Sequence, residues 1–189
     1  YCPERVLPGK ILKELIKNDR VIGGINPESS EKARKFYSTF CEGEQHLTNS
    51  RTAELVKLSE NAFRDINIAF ANEISMVCNR YNIDTKTLIK LSNHHPRVNI
   101  LQPGCGVGGH CIAIDPWFIA SEAEDITPLI QTARKVNKNK TTWVLNQIKL
   151  IIKSHIKNNK EIIIGCLGLS FKPNIDDLRE SPALQIVEK

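Results

Sequence analysis

The chain lacks any run of about 18 apolar residues, the least that a membrane-crossing helix requires. Its longest apolar stretch, 162–169, is short and follows the charged Glu161, so a bilayer-spanning helix is excluded. No C-x-x-C pair occurs among Cys2, Cys41, Cys78, Cys105, Cys111 and Cys166. Neither does an opening apolar segment of the signal-peptide kind, so reduced thiols in a cytoplasmic setting are expected. No long block of one charge sign exists either. The 26 Lys+Arg exceed the 21 Asp+Glu by five, spread along the length with only 135–140 dense, which gives no dedicated nucleic-acid surface. Finally, Gly165 and Gly168 do not complete a G-x-G-x-x-G, so cofactor binding cannot be read from them.

What is present is ordinary globular material: 41% hydrophobic and 25% charged over 189 residues. That excludes a disordered tail, a collagen-like fibre and a mucin-like stalk, and allows one domain or one and part of another. The chain opens on Tyr1 within what reads as the end of a strand or loop. It closes inside an amphipathic helical pattern, 181–189, so a piece of a longer enzyme is expected.

The β-branched run 20–25, ended by glycines and Asn26-Pro27, predicts a strand passing into a helix over 28–40, with Asn26 as cap. Residues 39–48 read as irregular or a short strand. Asn49 or Ser50 then caps a long helix, 51–81, whose buried face is expected to carry Val56, Ala62, Phe63, Ile66, Ala69, Phe70 and Ile74. Asp84 can cap another helix over 85–92, broken at His94-His95-Pro96. Thr127-Pro128 starts a second long helix reaching 157, with Ile130, Ala133, Val136, Trp143, Val144, Ile148 and Ile151 as its apolar side. Two such helices suit an all-α dimer core. The segment 161–168 reads as a buried parallel-type strand.

The chemistry concentrates between Pro103 and Asp115, where Gly104, Gly106, Gly108 and Gly109 exclude regular structure. Cys111 follows that loop, and Asp115 follows Cys111 by four residues. If Cys111 begins a helix, the two share a face, and a thiolate at a helix N-terminus is a competent nucleophile. The competing reading is one ordinary cysteine among six. Metal ligation by His94, His95, His110, Cys105 and Cys111 fails on spacing, so no metal is expected. Lys57, Asn61 and Arg64 form a polar stripe on the long helix, either a solvated face or a cluster able to meet an alkoxide, an oxyanion and a phosphate.

Four stretches stand out together: Tyr-Cys-Pro-Glu-Arg-Val-Leu-Pro-Gly at 1–9, Glu-Leu-Val-Lys-Leu-Ser-Glu-Asn-Ala-Phe-Arg-Asp at 54–65, Gly-Val-Gly-Gly-His-Cys-Ile-Ala-Ile-Asp-Pro-Trp-Phe at 106–118 and Phe-Lys-Pro-Asn-Ile-Asp-Asp-Leu-Arg-Glu-Ser-Pro at 171–182. In this order they resemble the nucleotide-sugar 6-dehydrogenases, the UDP-glucose/GDP-mannose dehydrogenase family. The resemblance implies an α/β enzyme fragment: a mostly α-helical central dimerisation domain followed by the start of a C-terminal Rossmann-like domain. The implied parts are 1–48, the end of an NAD-binding domain; 49–157, the helical central domain; and 158–189, the start of a UDP-binding domain.

The activity implied is oxidation of a UDP-sugar at C6 from alcohol to carboxylate with two NAD, by a homodimer or higher homo-oligomer. By the same resemblance Cys111 is the nucleophile, Lys57 the proton donor and acceptor, Asn61 and Asp115 their partners, and Glu4 the residue of thioester hydrolysis. Arg5, Val6, Lys57, Asn61, Arg64, His95, Arg97, Gly108, Phe171 and Lys172 are implied to contact substrate, His95 and Arg97 from a neighbouring subunit, and Arg179 to contact NAD. Pro8 stands where UDP-glucose dehydrogenases carry a second glutamate, which favours the N-acetyl-sugar branch. Within it the wording is most similar to the N-acetylmannosamine group, whose product enters bacterial surface polysaccharide such as enterobacterial common antigen. The alternatives are UDP-N-acetylglucosamine or UDP-glucose as substrate, or a helical dimerisation module that is inactive by itself.

Overall fold

A computed structural model describes residues 1–7, 9–155, 162–172 and 174–189. They form two units, Tyr1–Glu60 and Asn61–Lys189, each compact in itself.

In the first unit, helix α1 (Ile11–Lys17), which the sequence reading does not anticipate, precedes strand β1 (Arg20–Gly24), helix α2 (Pro27–Tyr37) and strand β2 (Gln45–Asn49). The two strands are parallel, Arg20 facing Gln45 and Gly24 facing Asn49. Parallel neighbours need a crossover, and α2 supplies it. Asn26 starts α2 by accepting the Ser29 N–H at 2.8 Å, and Pro27 presets the first turn. Buried Ser30 then ties the helix to both strands, accepting the Gly24 N–H at 2.9 Å and donating to the Thr48 carbonyl at 3.1 Å. The helix stops three residues before the expected Phe40. The Ser38 and Thr39 hydroxyls bond back to the carbonyls of Arg34 and Phe36 at 2.8 and 2.7 Å, a local alternative to further helix.

Helix α3 (Ser50–Arg80) crosses from the first unit into the second, with Asn49 accepting the Thr52 N–H at 2.8 Å at its start. It is followed by α4 (Thr85–Ser92), capped by Asp84, α5 (Asp115–Glu122), a 3₁₀ turn (Glu124–Ile126), α6 (Pro128–His155) and α7 (Pro182–Val187), capped by Ser181. The result is the α/β chain expected, dominated by helices, with a two-stranded parallel sheet.

Two expectations fail. Of the apolar faces expected on α3 and α6, Ala62, Ala69 and Ala133 are buried, but Phe63, Phe70 and Ile151 are 68%, 51% and 59% exposed, and the polar Asp65, Asn72, Arg134, Asn137 and Lys140 are buried along the seam. A periodicity that counts apolar residues alone passes over polar groups that satisfy one another. The strand expected at 161–168 is also not formed. Glu161 lies outside the described residues, as do 156 and 157 at the expected end of α6, while 162–168 are irregular and exposed. A parallel strand draws both its burial and its hydrogen bonds from neighbours. The described sheet holds β1 and β2, and none of 162–168.

Candidate active site

The glycine segment of the second unit is held by close packing rather than by regular structure. A Cβ on Gly108 would fall 2.7 Å from both Phe171 Cβ and Pro182 Cδ; one on Gly109, at φ +82°, would fall 2.8 Å from the Phe171 ring. No side chain larger than hydrogen fits. These glycines therefore admit protein from 171–182 rather than leaving an open floor, and Gly109 N–H adds a 3.2 Å bond to the Arg179 carbonyl.

Cys111 is exposed and free. It does not begin a helix, the condition on which it would share a helical face with Asp115. It opens the turn before α5, its carbonyl accepting the N–H groups of Ile114 at 3.1 Å and Asp115 at 2.8 Å. Pro116 at the start of α5 lacks an N–H, which suits a helix beginning at Asp115. The Asp115 carboxylate accepts a hydrogen bond from buried Asn61 at 2.6 Å, so the carboxylate one turn beyond the thiol is anchored on α3.

Arg179, expected to contact cofactor, grips Asp177, with contacts of 2.6 to 3.1 Å. Hydrogen bonds from the Arg179 side chain and backbone hold the Asp177 carboxyl down to about 2. Phe171 donates its N–H to the Asp177 carbonyl at 3.2 Å, and the Lys172 ammonium lies 5.6 Å from the Phe171 ring centre. Arg64 is exposed on α3. His95 and Arg97 occupy an exposed loop of their own, closed by two Asn93–Ile100 bonds at 2.7 and 3.0 Å, with the Arg97 N–H 3.3 Å from His95 Nδ1.

The first unit gathers the remaining residues. Lys57 on α3 donates from Nζ to the Glu4 carbonyl at 2.7 Å. The Glu4 carboxylate accepts from the buried Arg20 guanidinium at 2.9 Å, and that guanidinium lies 4.5 Å over the Tyr37 ring. Arg5 pairs with Glu60, and Val6 is half-buried. Arg20, whose guanidinium is buried against an exposed Glu4, escaped the sequence reading.

Also unforeseen is a buried network between α3 and α6. Arg134 Nη1 and Asn137 Nδ2 reach Asp65 Oδ1 at 2.5 and 2.7 Å. Asn72 Nδ2 reaches Asn137 Oδ1 at 2.9 Å, and the Gly104 N–H reaches Asn72 Oδ1 at 2.9 Å. Thr141 Oγ1 donates to the Cys105 carbonyl at 2.8 Å. Burial pushes the Asp65 carboxyl up, against the pull of Arg134 and Asn137. Burial likewise pushes the Lys140 ammonium down and the Cys105 thiol up. Among the described residues no group of three or more His, Cys, Asp or Glu is disposed to hold a metal, and no helix is long and apolar enough to cross a membrane.

Residues 1–41, 51–139 and 165–189 match, in order, the NAD binding, central and UDP binding domains of the UDP-glucose/GDP-mannose dehydrogenase family. The whole chain is 58% identical to the UDP-N-acetyl-D-mannosamine dehydrogenase of Escherichia coli K12, over 46% of that protein. It is 56% identical to an NDP-N-acetyl-D-galactosaminuronic acid dehydrogenase of Ralstonia nicotianae, over 44% of it. The solved UDP-D-ManNAc dehydrogenase of Pyrococcus horikoshii superposes with a TM-score of 0.91 at 45% identity, across 99% of this chain and 45% of that one. The chain thus spans about half the length of the curated relatives it matches. With three successive domains matched in the family's own order, the chain belongs to the UDP-glucose/GDP-mannose dehydrogenase family.

Proposed function

We propose that the chain is the middle portion of an NAD-dependent UDP-N-acetyl-D-mannosamine 6-dehydrogenase, which carries the C6 alcohol to a carboxylate in two oxidations. The observation that carries this reading is the Asn61–Asp115 bond of 2.6 Å beside the Cys111 turn, in a chain 58% identical throughout to a relative of that name. The proposed parts are 1–48 from the NAD-binding domain, 49–157 as the central domain and 158–189 as the start of the UDP-binding domain.

The residues present suit part of a dinucleotide site. β1, α2 and β2 form one parallel βαβ unit, and a crevice of about 510 Å³ opens among Gly24, Asn26, Pro27, Thr48 and Asn49, beyond the strand ends where open parallel sheets take ligands. NAD supplies the hydride acceptor in each oxidation, and Arg179 is the residue of this chain proposed to reach it.

This chain's own residues do the rest. The Lys57 amine takes the proton from the C6 hydroxyl and returns one to the oxyanion. The Cys111 thiolate attacks the resulting aldehyde, because a thiohemiacetal can lose a second hydride whereas the free aldehyde cannot. Asn61, fixed by Asp115, donates to the tetrahedral oxygen; one such donor is worth about 3 kcal/mol in comparable sites. The Glu4 carboxylate, oriented by Arg20, directs water onto the thioester. Arg5, Val6, Arg64, His95, Arg97, Gly108, Phe171 and Lys172 are proposed substrate contacts.

A homodimer or larger homo-oligomer is proposed, supported by the exposed stripe Phe63, Phe70 and Val77 on α3, whose heptad spacing suits a second copy of the helix. The enzyme is proposed to be cytoplasmic, serving surface polysaccharide of the enterobacterial common antigen type. The Ralstonia relative favours one second reading, another UDP-N-acetylhexosamine epimer as substrate. NADH formation by the full-length protein against a panel of UDP-sugars tests both. Two NADH per UDP-N-acetylmannosamine, and none after Cys111→Ser, is the expected result; uronate from the Cys111→Ser variant contradicts it.

A further inference from the structure

The segment that carries Cys111 forms no helix or strand between Gly104 and Ile114, yet both its ends reach the same face of α3. Asn61 holds Asp115 at the far end, and Asn72 holds the Gly104 N–H at the near end. Asn61 and Asn72 are eleven residues apart, roughly three turns and 16 Å, and Asp65 projects from the same side. All three are buried.

The amides between the ends can point one way only. The Gly104 N–H can only donate, and Asp65 Oδ1, which takes the Arg134 guanidinium N–H, accepts, so each asparagine between them must accept on the loop side and donate on the Asp65 side. The distances fit that order: Gly104 to Asn72 at 2.9 Å, Asn72 to Asn137 at 2.9 Å, Asn137 to Asp65 at 2.7 Å. Arg134 bonds the same Asp65 oxygen at 2.5 Å, favouring its charged form. Thr141 adds a bond to the Cys105 carbonyl from the next turn of α6.

We propose that Asn72 and Asn137 are positioning residues, whose one-way hydrogen-bond relay from Asp65 to the Gly104 N–H clamps the near end of the Cys111 segment as Asn61 clamps the far end. The assignment rests on the proposed role of Cys111 for its effect on turnover, but not for the clamp itself. Both asparagines are buried between α3 and α6, and neither is assigned a contact with substrate. Their contribution is to keep the thiol within reach of C6, where a displacement of about 1 Å can cost on the order of 100-fold in rate.

The test uses the full-length protein with Asn72→Leu, Asn137→Leu, the double substitution and Asn72→Asp. Amide hydrogen exchange over 104–115 is read without substrate, and kcat and KM are read per folded site. Expected for either leucine variant are exchange of the Gly104 amide at least about tenfold faster, kcat lower by about 10- to 100-fold and KM within about threefold. The double variant should be no worse than one single, since both break one relay.

Asn72→Asp is the more searching variant and guards against misfolding of the others. Protonated, its carboxyl offers one donor and one acceptor like the amide; ionised, it still accepts from Gly104 but sets a charged oxygen against Asn137 Oδ1 with no proton between them, which drives the side chain off its anchor on α6. Its Gly104 protection and kcat should therefore fall as pH rises through its titration, a profile the wild type lacks. Wild-type exchange and a wild-type pH profile in Asn72→Asp would overturn the clamp, as would fully additive losses in the double leucine variant. If the wild type makes no NADH from any UDP-sugar, the proposed function fails, and exchange at 104–115 still decides the clamp.

Discussion

Two irregular stretches of the second unit, 104–114 and 162–168, have opposite sequences and opposite fates. The first is glycine-rich and unfit for helix or strand, yet Asn61, Asn72, Thr141, Phe171 and the Arg179 carbonyl hold or crowd it from several elements. The second is rich in isoleucine and leucine with every mark of a buried strand, yet Ile163 and Leu167 are 91% and 98% exposed. Local preference accounts for neither. Order here follows from partners: within these 189 residues, about half the length of the relatives, the strand-like run finds no neighbouring strand, and a glycine loop with fixed partners at both ends does not need regular structure.

The severest way to break this contrast is to remove Asp65. Asp65→Leu leaves the buried Arg134 guanidinium without its partner, and the 189-residue chain should lose about 3–5 kcal/mol in urea unfolding. A loss below 1 kcal/mol would mean that the network supports nothing. Next come the glycines of the two stretches, compared directly. Gly108→Ala must displace Glu180, Phe171 or Pro182 and should cost about 1–3 kcal/mol, as overpacking does. Gly165→Ala meets nothing within 4 Å and should stay within about 0.5 kcal/mol. Equal costs at the two positions would erase the distinction.

These outcomes bear on what could be read from sequence. β1, α2, α4 and the start of α3 were legible because each boundary is written locally: Asn26 with Pro27, Asn49 and Asp84 each accept an N–H three residues on. Cys111 and Asp115 stood out through the glycine context, and their turn is likewise local. The α3–α6 seam was not legible. Asp65, Asn72, Arg134 and Asn137 look like a solvated face until the helices meet, because each is satisfied by a residue some 65 to 72 positions away. Arg20 was missed for the same reason, its partner Glu4 lying 16 residues earlier. The lack of a pairing strand for 162–168 within these 189 residues was hidden from the opposite direction, since apolar periodicity records a wish for burial and not the presence of a neighbour.

A smaller effect sharpens the account of 171–181, against which the glycines rest. The Asp177 carboxyl sits below its ordinary value because Arg179 holds its charged form, so it should titrate with a midpoint at about 2. Whatever the pair adds to stability is then present above the unfolded value of about 3.9 and is lost as pH falls through the folded one. Carboxyl NMR checks this directly, and Arg179→Ala should return the midpoint toward the ordinary value. An Asp177 midpoint unmoved by that substitution would remove Arg179 as the cause.

The most direct test of the whole reading is mass spectrometry of the full-length protein, quenched during turnover with UDP-N-acetylmannosamine and NAD. The account predicts a sugar-nucleotide adduct on the peptide bearing Cys111, formed and consumed as uronate accumulates. Steady production of uronate with that sulfur never modified would contradict it.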